Sequence, residues 1–292
     1  MCTDLESLVE QYIAERTALR EFVSEHTRRQ VSSILRRFIE GADVLDRDHV
    51  VAWFKHYSYC APGTMRTMYG VSRTFCRWAL DHGHIDTDPM VGIAAPKVPR
   101  AVPRALGVGE LGQLWDALPD SRARAIVALM AGLGLRVAEV SHLEVGDWDR
   151  YSDVLIVRRG KGGHDRSLPV PSAVRGALDT YLREYPARAG AFIRSQHDDR
   201  SSITPGRIGI LVSEWMTTAG VKAAAWDGRA CHALRHTFAQ MLYERGQDPD
   251  LRLVQAALGH QHLASTEIYM RRHVDMVRMR AAMELSVLTV PA

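Results

Sequence analysis

His232, Arg235, His260 and Tyr269 are the side-chain types that cleavage of a phosphodiester without a metal requires. The guanidinium is a cation for the phosphate oxygens, the imidazoles are N–H donors and the phenol is a hydroxyl nucleophile. All lie in one stretch, Ala230 to Tyr269, which opens Ala-Cys-His-Ala-Leu-Arg-His-Thr-Phe and ends Thr266-Glu-Ile-Tyr269. A helix turns roughly 100° per residue. His232, Arg235, His236 and Ala239 therefore share one face, with Leu234, Phe238, Met241 and Leu242 on the opposite, core-facing stripe. The set is incomplete on its own. It needs a second phosphate-binding arginine and a proton donor for the leaving group, both upstream.

The arginine is found in Gly132-Leu-Gly-Leu-Arg136-Val-Ala-Glu139-Val-Ser-His-Leu143, a glycine-rich turn entering a short helix. The glycines let backbone segments approach closely and fix the arginine, and Glu139, one turn on, would orient it. A surface ion pair of little consequence is the plainer reading of that pair alone. For the proton donor, strand patterns over Asp147–Asp149, Val154–Val157 and Ser167–Val170 flank Arg158-Arg-Gly-Lys161-Gly-Gly-His-Asp165. They predict a small antiparallel sheet whose Gly-rich hairpin carries Lys161 at its tip. The spacing is not that of a phosphate-cradling loop, because no helix opening with Ser or Thr follows. By itself a hairpin lysine is most often only solvated.

The elements that must position these groups divide the chain. With 292 residues there is length for two domains. The apolar share of 46%, the charged share of 24% and the formal charge of +3 are those of an ordinary soluble protein, and so mild a charge excess identifies no partner. Residues 1–92 show no strand pattern. They predict helices after Thr3-Asp-Leu-Glu6, over Thr27–Glu40, over Asp46–Tyr57 and from Pro62 to Gly83, hence a helical bundle. Residues 93–106 have three prolines, no acid, and Lys97, Arg100 and Arg104, which predicts an extended basic linker. The second domain, 107–292, adds helices over Gly109–Leu118, Ser121–Gly132, Pro171–Glu184, Thr204–Ala219 and Asp275–Glu284, then an apolar tail from Leu285. Between Lys55 and Arg77 no carboxylate occurs, and Arg66, Arg73 and Arg77 fall on one helix face. Such a face is either merely solvated or a surface for a polyanion. Cys2, Cys60, Cys76 and Cys231 have no paired spacing and read as reduced thiols. Without an apolar leader or a run near the ~20 residues of a membrane span, a cytoplasmic protein with no membrane partner is expected.

Taken in order, Arg136, Lys161, His232-x-x-Arg235, His260 and Tyr269 resemble the tyrosine recombinases, the phage integrase family. Leu-Gly-His260 with Thr266-Glu-Ile-Tyr269 is similar to that family's nucleophile segment, and Gly-Leu-Arg136-x-x-Glu139 to its first-arginine segment. The resemblance implies a mainly α fold with a small antiparallel β-sheet. A helical-bundle core-binding domain would precede an α+β catalytic domain, the two closing on a duplex as a C-shaped clamp. It implies a site-specific recombinase that integrates or excises DNA at short core sites through a 3′-phosphotyrosyl intermediate. Tyr269 would be the nucleophile, Arg136 and Arg235 the clamps on the non-bridging oxygens, and Lys161 the donor to the 5′ oxygen. His232 would assist proton movement, His260 would donate to a phosphate oxygen and Glu139 would support. Neither metal nor ATP is implied. The implied partners are double-stranded core sites, a homotetramer on synapsed DNA formed from monomers, and an accessory directionality factor. Lys55, Arg66, Arg73, Arg77, Lys97, Arg100 and Arg104 are the expected DNA contacts, in a bacterial, nucleoid-associated setting. With no room for an arm-binding domain, the expectation is a compact integrase or a Xer-like dimer resolvase.

Three other readings compete. A type IB topoisomerase uses a similar residue set but relaxes supercoils without exchanging partners. A DNA-binding regulator would carry the set silently. A metal site on His232, His236, His260 and His262 lacks the glutamate of a zinc-protease helix and has Arg235 between its ligands. The tail from Leu285 is expected to dock on a neighbouring subunit.

Overall fold

The structure, a computed structural model, describes residues 4–22, 24–98, 105–158, 165–195, 201–223, 230–245 and 251–259. The chain separates into two units, Met1–Ala101 and Val102–Ala292. In the first, short polar residues start the helices by accepting otherwise unpaired N–H groups. Asp4 caps α1 (Leu5–Ala18), Ser24 accepts from Thr27 at 3.1 Å to open α2 (Glu25–Ile39), and Asp46 accepts from His49 at 2.8 Å to open α3 (Arg47–His56). Ser24 is why α2 begins before the predicted Thr27. Proline at the first position starts α4 (Pro62–Asp81). The apolar stripes of these helices close over Leu8, Leu35, Phe38 and Phe75, all fully buried. Tyr12 meets Phe75 edge-on at 5.3 Å, and the Trp53 indole donates to the Arg37 carbonyl at 2.9 Å.

The second unit runs α5 (Val108–Asp116), α6 (Ser121–Val127), α7 (Val137–His142), β1 (Trp148–Asp149), β2 (Val154–Val157), β3 (Arg166–Pro169), α8 (Ser172–Glu184), α9 (Pro205–Thr218), α10 (Cys231–Arg245) and α11 (Leu251–Leu258). The sheet is antiparallel in the order β1-β2-β3, with Leu155 opposite both Trp148 and Leu168. All three are buried, so one face of the sheet belongs to the core. The mainly helical architecture with one small antiparallel sheet is the expected one.

Several details differ from expectation. The helix predicted over Ser121–Gly132 is α-helical only to Val127 and then widens into a single π-turn, Ala128–Gly132. The first strand is only Trp148–Asp149, because Val145–Asp147 forms a 3-10 turn. The chain enters Leu258 through α11. No helix among the described residues is long and apolar enough to cross a membrane.

Candidate active site

The π-turn delivers the chain to Arg136. After it, the Leu135 N–H reaches back to the Leu129 carbonyl at 3.1 Å, and Leu133 and Leu135 drop into the core. Gly134 lies between them at φ +67°, and a Cβ there would stand 2.3 Å from the Phe238 ring. Only glycine permits both that conformation and that contact. Arg136 then caps α7 in extended backbone conformation. An arginine side chain cannot accept a hydrogen bond, so the cap works in one direction: the Arg136 N–H donates to Glu139 Oε2 at 2.8 Å. The Arg136 guanidinium donates to the other oxygen at 2.7 Å.

Glu139 is the hub. Its side chain is only 7% exposed, so it is no surface ion pair. Arg166 grips it with two parallel bonds of 2.9 and 2.8 Å, and Arg235 Nη1 lies 3.8 Å from it. Burial alone would raise the carboxyl pKa, but the Arg166 bonds and charge, aided by Arg136, outweigh it and hold the group at about 2. Glu139 is a permanent anion here. Arg136 and Arg235, widely separated in sequence, are thereby brought to one carboxylate.

Arg235 is buried, and its guanidinium donates to the Gly134 carbonyl and, at 2.5 Å, to the Leu258 carbonyl at the end of α11. This corrects the expectation of one chemical and one packing face on α10. Ala239, assigned to the chemical face, is fully buried beside Val254 and Leu258, while Phe238 and Leu242 of the opposite stripe are only half-buried. Apolar neighbours enclose the helix on both sides.

His232 is exposed on the first turn of α10, and its ring centroid lies 6.2 Å from that of His236. Partial burial, then the charges of Arg235 and Arg136, lower the His232 pKa. Burial, then His232 and Arg235, push His236 down to about 4. Both imidazoles are therefore neutral near pH 7, with a nitrogen free of its proton.

Arg136, Glu139, His232 and Arg235 are thus gathered, whereas Lys161, His260, Tyr269, Arg100 and Arg104 lie outside the described residues. Arg166 was not singled out from the sequence. Its signal was there: period two puts it on the face of β3 that carries the buried Leu168 and Val170, where a cation implies a buried acid. Arg158 pairs with the buried Asp147 carboxylate. In the first unit Lys55, Arg66, Arg73, Arg77 and Lys97 are all exposed. Arg73 donates to the Tyr69 hydroxyl at 2.7 Å and Arg77 lies 3.4 Å from Asp81, just past the acid-free stretch.

Comparison with known proteins fits this geometry. Residues 106–276 match the model of the phage integrase family. The tyrosine recombinase XerA of Thermococcus kodakarensis is 29% identical over 261 residues, 87% of this chain and 88% of that protein. The XerA of Pyrococcus furiosus is 35% identical over 179 residues, 60% of each chain, so that match spans less than two thirds of the relative's length. Among solved structures, a lambda integrase dimer bound to a COC′ core site superposes with a TM-score of 0.75 at 18% identity, over 91% of this chain and 77% of that one, which is a likeness of fold. The chain belongs to the phage integrase family, the tyrosine recombinases.

Proposed function

We propose that the chain is a site-specific DNA recombinase that cleaves and rejoins strands through a 3′-phosphotyrosyl link at Tyr269, integrating or excising DNA at short core sites. The observation that carries this reading is the charge gathered on Glu139. Three guanidiniums, Arg136, Arg166 and Arg235, face one carboxylate, which leaves an excess of two positive charges among these four groups. A phosphodiester brings one negative charge and gains a second as its phosphorus becomes five-coordinate. A fixed dication therefore favours the transition state over the ground state.

In this mechanism Tyr269 attacks phosphorus while Arg136 and Arg235 hold the non-bridging oxygens. Lys161 protonates the departing 5′ oxygen, and neutral His232 can take the tyrosine proton. His260 donates to a phosphate oxygen. Glu139 keeps the arginines in place without titrating. The 5′ hydroxyl of a partner strand reverses the step, so the bond energy stays in the covalent link and no metal or ATP is consumed. The partner is double-stranded DNA, contacted by residues of the 1–92 domain, the 93–106 linker and the 107–292 catalytic domain. Lys55, Arg66, Arg73, Arg77, Lys97, Arg100 and Arg104 contact phosphates, and four chains act together on synapsed sites.

A second reading, resolution of chromosome or plasmid dimers, is favoured by the match to a XerA recombinase along 87% of the chain. A nicked duplex that loses its leaving strand on cleavage tests the proposal. The chain should become covalently attached to DNA and Tyr269→Phe should not; equal attachment by both, or none by either, would refute it.

A further inference from the structure

We propose that Arg166 is a positioning residue that locks Arg136 and Arg235 against the scissile phosphate by tying β3 to Glu139 and to the end of α11. The inference rests on the recombinase reading and adds to it a residue outside the expected catalytic set.

Three observations converge. The Arg166 fork fills both oxygens of Glu139, so that carboxylate cannot rotate away from Arg136. Its third nitrogen, Nε, donates to the carbonyl of Ala257 at 2.9 Å, the residue before the Leu258 carbonyl that Arg235 holds. Finally, Gly259 follows at φ +62°, and a Cβ there would sit 3.1 Å from Arg166 Nη1 and 3.2 Å from its Cδ. The backbone is thus drawn close onto the guanidinium. One side chain, 9% exposed, spans three elements, β3, α7 and α11, and touches the partners of both phosphate-facing arginines. Lysine cannot replace it, because a single ammonium cannot serve a carboxylate in the bidentate manner and a carbonyl together. Arg166 also contributes to folding stability through Glu139, but a purely structural role would slow attachment equally whatever the charge of the scissile group.

The mechanism makes the test specific. Arginines that neutralise a non-bridging oxygen matter less when that oxygen is replaced by methyl, so a defect transmitted through Arg136 and Arg235 should shrink on a methylphosphonate. Wild type, Arg166→Ala and Arg166→Lys are compared in single-turnover attachment to a saturating nicked duplex carrying either a phosphate or a methylphosphonate at the cleavage point. On phosphate, Arg166→Ala should be slower by about 100-fold, as expected for reacting groups displaced by an ångström. Arg166→Lys should also be slower, approaching about 100-fold, the lower end of the cost of one lost oriented donor. On methylphosphonate both deficits should fall to within about threefold of wild type. Equal deficits on the two substrates, a fully active lysine variant, or no deficit at all would overturn the proposal. Should Arg166→Ala fail to fold, the two substrates with Arg166→Lys decide it. Failure of the wild type to attach to any duplex would instead defeat the recombinase reading and take this inference with it.

Discussion

Arg166 and Arg235 hold consecutive carbonyls at the end of α11, that of Ala257 by Arg166 Nε at 2.9 Å and that of Leu258 by Arg235 Nη2 at 2.5 Å. The same arginines approach Glu139, at 2.8 and 3.8 Å. A carboxylate on α7, a strand and two helices are therefore joined by side chains whose charges are useful only if they do not move. The chain continues from this fixed point into Gly259 and His260.

Glu139→Gln should expose the electrostatic part of that arrangement. The folded carboxyl pKa, about 2, lies below the ordinary 4.5. Its contribution to stability is therefore present above pH 4.5 and lost as pH falls toward 2, and the difference corresponds to roughly 3 kcal/mol. Urea denaturation at pH 7 should show the variant less stable by about that much, the gap closing as the pH approaches 2 to 3. A gap independent of pH would mean that shape, not charge, sets the role of Glu139.

Gly134→Ala should be costly beyond its size. The residue is at φ +67°, and its new methyl would sit 2.3 Å from Phe238 while its carbonyl is the one that receives Arg235. Strain and overpacking together predict a loss of about 2 to 4 kcal/mol in thermal or chemical unfolding. DNA attachment should slow as well, because Arg235 loses its fixed acceptor. A variant with wild-type stability would contradict the close approach of α10 to this turn.

His236 sets an acid limit of its own. Its pKa is near 4 in the fold against an ordinary 6.5, so the unfolded chain binds the extra proton first. The stability that His236 contributes is complete above pH 6.5 and declines as pH falls toward 4. His236→Gln should flatten the stability profile across that window in a pH series of thermal melts. An unchanged slope would show that the imidazole titrates normally.

Arg66 should matter more to DNA than its neighbours on α4. Arg73 is engaged by Tyr69 and Arg77 by Asp81, whereas no hydrogen bond or ion pair occupies the Arg66 side chain among the described residues. Arg66→Ala should lower the slope of log affinity against log salt by about 1, with smaller changes for Arg77→Ala. Equal slopes would remove α4 from the DNA surface.

How far residue pattern alone reaches is clear from particular elements. Arg136 with Glu139 was legible because three-residue spacing puts a helix-start arginine and its acid together. The sheet was legible from the apolar run Val154–Val157 and the Gly-rich segment that follows it, and the first and third helices of the first unit from their capping residues. The π-turn was not, since Ala-Ile-Val-Ala-Leu-Met-Ala keeps a helical pattern through the widened turn. Burial of Arg235 was hidden because helical periodicity sorts residues by face but does not reveal when both faces are covered. Arg166 was missed because its acid lies on another element, and local spacing carries no record of such a pair.

In the proposed reaction a phosphate held by Arg136 and Arg235 is attacked by the hydroxyl of Tyr269. The most direct test is to trap the protein on a nicked duplex in the presence of chelator, digest the adduct and identify the DNA-bearing peptide by mass spectrometry. A single phosphotyrosyl peptide containing Tyr269 is expected, abolished by Tyr269→Phe and strongly reduced by Arg235→Ala. Attachment through another residue, or cleavage that requires a metal and leaves no covalent link, would contradict it.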